Sequence, residues 1–440
     1  MSKTPLAARR ASVLIDAYNL DLPQGTGVAT YARNLSYCLK ALAYEVNILH
    51  GRQLAHNVDP LLREITFFDS GVPIAPWRQK LKAAQELLTM PFGYHSTATR
   101  VDLKDQVIAP EQRRRMAHHD ALWNVPDVYA RAHRQFTNAR SFHKVRLPQP
   151  VDLVHWTYPL PIRVEGALNI YTLHDLVPLR LPYTTLDRKR RYLRLMRNIV
   201  KTADHIVTVS ECSRRDIIEL LGVAPERVTN TYQSVTLPEK LLTKPQAIAE
   251  QEVMSTFRLS PQGYFLFVGA IEPKKNIGRL IEAYLASGST APLVLAGPRA
   301  WKSDEELRLY LSQERRLRNR IRVLDYMPLP LLVSLIRSAR ALVFPSVYEG
   351  FGLPVIEAML LGTPVLSATT GSIPELAGDA ALLVDPYDSQ ALAEAIRGLD
   401  GNDALRSELS ARGTRRAAYF APERYAERVG ALYSRLLSPP

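Results

Sequence analysis

Short apolar runs alternate along the chain with stretches of helical spacing. In the first half the runs cover 12–16, 44–50, 152–156, 168–173 and 205–210; in the second they cover 264–269, 293–297, 321–324, 341–345, 365–367 and 381–384. Runs this short, separated by helical patterns such as 28–42, predict parallel strands joined by crossover helices and hence an α/β fold. The polar stretch 238–261 separates the two sets. Two doubly wound domains follow, over 1–240 and 255–420, with the linker between them. A last helical pattern, 422–437, spaces Tyr425, Val429, Leu432, Tyr433 and Leu436 on one side and needs a surface to cover. The chain shows no internal repeat and no low-complexity tail.

The richest segment runs from Glu349 through Gly350, Phe351, Gly352, Leu353 and Pro354 to Glu357, directly after the apolar run 341–345. A strand ending in a glycine turn and then a helix start aims unpaired N–H groups and a positive dipole end at one spot, which suits a phosphate. Pro354 fits the first helical position, where its missing N–H costs nothing. Glu349 then lies on the loop and Glu357 about one turn into the helix, both able to face a ligand across the helix mouth. The plain alternatives are a solvated loop charge for Glu349 and dipole compensation for Glu357. Gly362 and Pro364 mark the helix end. Upstream, the run 264–269 ends at Gly269, and Lys274 and Lys275 stand at the next helix entrance, adding charge where a diphosphate needs it.

Three segments in order, 268–277, 344–359 and 374–386, resemble glycosyltransferase family 4, and the resemblance extends to the N-terminal half through 25–33 and 172–176; only about 55–150 stands apart. The resemblance implies the GT-B fold, two Rossmann-like domains facing a cleft, with a nucleotide sugar on the C-terminal one and the acceptor on the N-terminal one. In proteins of this kind the last helix crosses back to the N-terminal domain. The resemblance also implies roles. Lys275, with Lys274 and the amides of Gly352 and Leu353, would neutralise the departing diphosphate. Glu357 would accept from the ribose hydroxyls and Glu349 from a hydroxyl of the transferred sugar. Gly269, Gly350 and Phe351 belong to the same donor-binding motifs, and Tyr326 stands where an aromatic lies near the base. Gly25 and Gly27 would face the donor, although a plain turn explains the pair equally well. His174, closing a strand at its C-terminal end, would touch the donor sugar, although a lone histidine there is more often structural. Asp325 either selects a guanine amino group or caps the helix near Pro328. Relatives often carry arginine at position 274, where the chain has lysine, and sometimes a basic residue at 270, where it has alanine; Arg299 is the substitute considered. Ser210 and Glu211 read as a helix cap.

Charge refines this picture because it is local. Of a net +13, the window 78–146 holds 13 Lys/Arg against 6 Asp/Glu and the window 187–201 holds 7 against 1, leaving the rest of the chain neutral. A basic surface confined to two stretches of one half is a docking face. The candidate face consists of Arg113, Arg114, Arg115, Arg190, Arg191 and Arg194, with aromatics such as Trp77, Phe92, Tyr94 and Trp123 interleaved. That mixture suits an anionic membrane surface or a lipid-linked acceptor. A helix over 186–201 fits either a core-facing helix or a membrane-surface one. There is no run of 18 apolar residues and no signal-peptide core, so a cytoplasmic protein, peripheral on the inner membrane face, is expected. Cys38 and Cys212 give no metal or disulfide pattern.

The expected function is a metal-independent, retaining glycosyltransferase moving a hexose, with mannose the first choice, to a glycan or lipid-linked acceptor in surface polysaccharide synthesis. No Asp-x-Asp pair stands in a plausible metal-binding loop, and no cofactor beyond the nucleotide-sugar substrate is expected. A sugar phosphorylase or soluble-sugar synthase of the same fold is the alternative. A non-enzymatic binder of nucleic acid or membrane is the second; it leaves the carboxylates and glycine turns unexplained, and no nucleic-acid partner is expected.

Overall fold

The computed structural model describes residues 10–22, 27–53, 59–69, 95–104, 107–109, 116–317 and 319–438. Its second half builds a six-stranded, all-parallel sheet in the order Ile321–Leu324, Leu293–Ala296, Phe265–Val268, Ala341–Phe344, Val365–Ala368, Leu382–Val384. Four of these strands are buried along their whole length, which is why they read as continuous apolar runs rather than alternating ones. The chain order reverses between Phe265–Val268 and Ala341–Phe344. At such a switch point the loops after the two strands diverge to opposite faces and leave a crevice.

The first half forms an eight-stranded sheet with Ser12–Asp16 near its middle, flanked by Leu153–Trp156 on one side and Glu45–His50 on the other. Leu168–Thr172, His205–Thr208 and Val228–Asn230 continue one edge, all parallel. The other edge carries strands the apolar pattern did not predict. Ala121–Asn124 pairs parallel with Glu45–His50, and Thr99–Val101 closes the edge antiparallel. A separate three-stranded parallel sheet joins His95–Thr97, His143–Arg146 and Ile162–Val164.

Trp123 is therefore not part of a basic surface: it is 2% exposed and its indole N–H donates to Asn47 Oδ1 at 2.8 Å. The stretch expected to be a polar linker also differs from expectation. It carries the helix Gln246–Phe257, which buries Ala249 and Val253 and docks on Leu329–Arg337, where Ser334 Oγ donates to Glu252 Oε2 at 2.6 Å. The helix Pro422–Leu437 lies on Gly27–Ala41 of the first half; Tyr433 is buried there and its hydroxyl bonds to His155 Nδ1 at 2.6 Å. The chain thus crosses between the two lobes twice. Among the described residues no helix is long and apolar enough to cross a membrane.

Candidate active site

Both lysines expected at the diphosphate occupy a tight 3-10 turn, Pro273–Lys275, that follows the strand Phe265–Val268. Asn276 ends the turn in the left-handed region at φ 61° and ties it down, its amide donating to the carbonyls of Pro345 (3.1 Å) and Pro386 (2.7 Å). The helix Ile277–Ser287 begins one residue later, so the lysines sit just ahead of it. Across the switch point Glu349 follows Ala341–Phe344. Lys275 Nζ reaches Glu349 Oε1 at 2.6 Å and Lys274 Nζ reaches Oε2 at 3.4 Å, while Ser346 Oγ donates to Oε1 at 2.5 Å. Burial pushes the Glu349 carboxyl up, but Lys274 and Lys275 outweigh it and hold the group ionised at about 2. Lys275 also lies 4.9 Å over the Phe344 ring. Glu349 is therefore not a solvated loop charge: Lys275 and Ser346 hold Oε1, and only Lys274, at 3.4 Å, faces Oε2, which keeps acceptor capacity. The cluster of two cations and one anion keeps one positive charge, with Lys274 lining the cleft.

The next helix runs Leu353–Leu360, so Pro354 is its second residue, not its first. Gly352 precedes it at φ +96°, a conformation costly for any side chain, and a Cβ there would meet Ile373 Cδ1 at 2.5 Å. Phe351 does not line the cleft; its ring packs edge-on against Phe420, 5.6 Å between centroids. Glu357 stands beyond the first turn, which removes simple dipole compensation as its role. Half-buried and making no side-chain hydrogen bond among the described residues, it is pushed up to about 7 by burial. Tyr326 is 66% exposed on the loop after Ile321–Leu324. Asp325 does not cap the following helix, whose N-cap is Pro328 with no side-chain bond. Arg299 lies exposed beside Ile271, paired to it through backbone only.

From the facing lobe, Gly27 is the first residue of its helix, and a Cβ on it would touch Leu353 Cδ1 at 3.3 Å. Gly25 lies outside the described residues, as do Arg113, Arg114 and Arg115 and the aromatics Trp77, Phe92 and Tyr94. His174 follows Leu168–Thr172. Its Nε2 is 2.9 Å from the Thr157 carbonyl, which can only accept, so Nε2 carries the proton and Nδ1 is left as an acceptor. Burial lowers its pKa and keeps the ring neutral, packed at 4.9 Å edge-on to Tyr31. Asp16, fully buried at the end of the central strand, accepts from Thr157 N (2.5 Å) and Thr157 Oγ1 (2.9 Å), so a chain of bonds links the sheet end to His174. Burial lifts Asp16 to about 6 against those bonds.

The two lobes touch here. A Cβ on Gly350 would lie 2.6 Å from the His174 carbonyl and 2.8 Å from Asp175 Cβ. Tyr348 bonds to Asp216 and lies 3.2 Å from Cys212 Sγ, and the Glu375 carboxylate accepts from the amides of Glu211 (3.1 Å) and Cys212 (3.2 Å). Ser210 caps that helix through Ser213 N, as expected. Between the lobes lies a cavity of about 360 Å³ lined by His174, Asp175, Tyr158 and Asp187 on one side and Glu272, Lys274 and Trp301 on the other. Of the basic face, Arg190 and Arg194 are exposed on the helix Lys189–Thr202, whereas Arg191 turns inward and donates to the His133 carbonyl at 3.3 Å. Met196, Ile199 and Val200 bury the opposite side in the core.

Two family models match successive parts of the chain: Glycosyltransferase Family 4 over residues 105–236 and Glycosyl transferases group 1 over 252–416. The O-antigen chain mannosyltransferase B of Escherichia coli is 36% identical over 271 residues, covering 60% of this chain and 69% of that protein. The chain belongs to glycosyltransferase family 4. A serotype-specific mannosyltransferase of Escherichia coli, WbdA, is 29% identical over 273 residues, and the chain spans about a third of it, 33%. Among solved structures, a sucrose-phosphate synthase from Thermosynechococcus elongatus superposes with a TM-score of 0.65 at 20% identity, covering 97% of this chain and 99% of that one. Anabaena HepE in complex with UDP and glucose superposes with a TM-score of 0.62 at 15% identity, covering 97% and 100%. The family 4 chain thus has the GT-B fold, two Rossmann-like domains with a cleft between them.

Several residues at this cleft escaped the reading of the sequence. Tyr158, Asp187 and Trp301 line it from loops without a motif. Gly371 had a usable signal, a glycine closing the run 365–367 after a short polar step; at φ +64° it packs under the Glu349 backbone, where a Cβ would lie 2.8 Å from Glu349 N.

Proposed function

We propose that this glycosyltransferase is a retaining, metal-independent hexosyltransferase that moves mannose from a nucleotide sugar to a glycan or lipid-linked acceptor in surface polysaccharide synthesis. The observation that carries the reading is the Lys274–Lys275–Glu349 cluster at the C-terminal switch point, from which Lys274 faces the neutral His174 across the cavity. The mannose and polysaccharide parts draw on the names of the O-antigen and serotype-specific relatives. The donor's diphosphate lies against Lys274 and the amides at the mouth of Leu353–Leu360, and the ribose hydroxyls donate to Glu357. As the bond from the anomeric carbon to the leaving phosphate breaks, negative charge grows on the diphosphate and is met by Lys274 without reorganisation. The acceptor oxygen attacks from the same face, and its proton passes to the departing phosphate oxygen. His174 Nδ1 accepts from a sugar hydroxyl and orients the ring. Lys275 and Glu349 work behind Lys274, holding its charge in place. Exposed Tyr183 and Leu186, 65% and 74% accessible, beside Arg190 and Arg194 support docking on an anionic membrane surface.

The test is a screen of UDP-, GDP-, ADP- and dTDP-sugars for slow donor hydrolysis with and without a chelator. GDP-mannose hydrolysis that survives chelation supports the proposal; no turnover of any nucleotide sugar would refute it.

A further inference from the structure

A second cavity, of about 370 Å³, opens beside the first and shares Tyr158, Pro159, Asp187 and Tyr192 with it. Its far end differs from the shared wall in chemistry. Tyr18 and Tyr158 stack with centroids 5.4 Å apart, and Arg188 and Arg191 border the same space, with Leu195 and Met196 as apolar lining. The exposed Arg188 side chain makes no hydrogen bond or ion pair among the described residues, although its carbonyl accepts from the amides of Arg191 and Tyr192. Arg191 is turned toward the cavity by its bond to the His133 carbonyl, a neutral partner that leaves its charge uncompensated. Arg188 is also the N-cap of Lys189–Thr202, with no side chain satisfying the first amides, so the positive end of a 14-residue helix points the same way. Two guanidiniums and a helix mouth around an open pocket suit a phosphate or diester; an uncharged sugar would leave both arginines without a partner. The single carboxylate of the cavity, Asp187, stands on the wall shared with the donor cavity and repels an anion from that end.

We infer that this cavity is the acceptor subsite and that the acceptor is a sugar carrying a phosphate or diphosphate ester, the anion on Arg188 and Arg191, the sugar against the Tyr18–Tyr158 pair, and the hydroxyl to be glycosylated directed past Asp187 toward His174. The inference rests on the glycosyltransferase reading of the first cavity for the word acceptor, but not for the anion site itself. Tyr192 joins the two compartments, its hydroxyl donating to the Asp175 carbonyl at 3.1 Å, so the helix bearing Arg191 is fixed relative to the turn bearing His174.

The experiment measures binding by calorimetry with the donor diphosphate site filled by saturating nucleoside diphosphate. Hexose 1-phosphate, a short-chain prenyl diphosphate hexose and the methyl hexoside are compared on the full chain and on an Arg188→Ala/Arg191→Ala double variant. The expected result is that both phosphorylated probes bind roughly tenfold or more tighter than the methyl hexoside, as for a charge-assisted hydrogen bond, and that the double variant erases the difference. The lysine variants Arg188→Lys and Arg191→Lys should restore part of it and keep its salt dependence. Stronger binding of the prenyl probe assigns the anion to a lipid, and equal binding assigns it to a soluble sugar phosphate; both support the subsite. Equal affinity for the methyl hexoside, or a phosphate preference that survives the double variant, overturns it. If no nucleotide sugar is hydrolysed yet the phosphate preference disappears with the arginines, the reading of the donor site fails and the anion subsite stands.

Discussion

Replacing Gly350 with alanine isolates the contact between the lobes. Gly350 does not adopt a left-handed conformation, so alanine meets no backbone strain, and the obstacle to its methyl group lies across the cleft. The Cβ would stand 2.6 Å from the His174 carbonyl and 2.8 Å from Asp175 Cβ, where ordinary contacts begin at 3.4 Å. The His174–Asp175 turn has to withdraw by about 0.6–0.8 Å, and overpacking of this kind costs about 1–3 kcal/mol. Because the clash is between lobes, each lobe can keep its own packing and the cost falls on closing the cleft. If closure is required for transfer, kcat/KM falls roughly five- to 150-fold. Nucleotide affinity, set within the C-terminal lobe, falls less. The assay is steady-state transfer alongside calorimetric nucleotide binding, with small-angle scattering reporting the separation of the lobes. A Gly350→Ala protein with unchanged kcat/KM and unchanged scattering would refute the reasoning, since the close approach would then have no part in the active form.

Other consequences concern single carboxylates. Glu357, raised to about 7, accepts from ribose hydroxyls more strongly when ionised; nucleotide affinity should therefore climb, by at most tenfold per unit, as pH rises toward 7 and level off above it, whereas Glu357→Gln should flatten the profile. A pH-independent dissociation constant in the parent protein between pH 6 and 8 would contradict this. Glu349→Ala strips the counter-charge from buried Lys275 and should destabilise the fold by about 3 kcal/mol or more, with added nucleoside diphosphate raising the melting temperature more in the variant than in the parent. An unchanged melting temperature would count against the cluster. Asp16 has a folded pKa of about 6 against an ordinary 3.8, so its contribution to stability is intact below the lower value and lost as pH rises through the higher, about 3 kcal/mol in all. Asp16→Asn should therefore gain on the parent in melting temperature between pH 4 and 7, and a constant difference across that range would show the burial cost to be absent.

The C-terminal lobe was largely legible because its strands are buried on both faces. Phe265–Val268 and Ala341–Phe344 are pure apolar runs, found within a residue or two of their real ends. The N-terminal edge was not. His143–Arg146 alternates buried and exposed over only four residues, with Val145 its one apolar side chain, and Ala121–Asn124 owes its burial to neighbours remote in sequence. Trp123 illustrates the cost of judging an aromatic by the charges near it in sequence. At the cleft, Lys274, Lys275, Glu349 and His174 stood out as residues, but the ion pair between Lys275 and Glu349 spans 74 positions and exists only because the strand order makes Phe265–Val268 and Ala341–Phe344 neighbours. Likewise nothing local marks Gly350 as a cross-lobe contact; its meaning depends on where the other lobe brings His174. Arg191 read as surface charge, because its inward turn follows from the docking of a helix and not from its neighbours along the chain.

In the proposed mechanism a donor diphosphate rests against Lys274, with its charge set by Lys275 and Glu349, and requires no cation. Phosphorus NMR of bound nucleoside diphosphate, recorded in chelator with a paramagnetic label placed in turn near position 274 and on the N-terminal lobe, tests it directly. Tight binding without metal and strong relaxation of the β-phosphorus from the label near Lys274 are expected; binding that vanishes in chelator, or relaxation dominated by the other lobe, would rule this mechanism out.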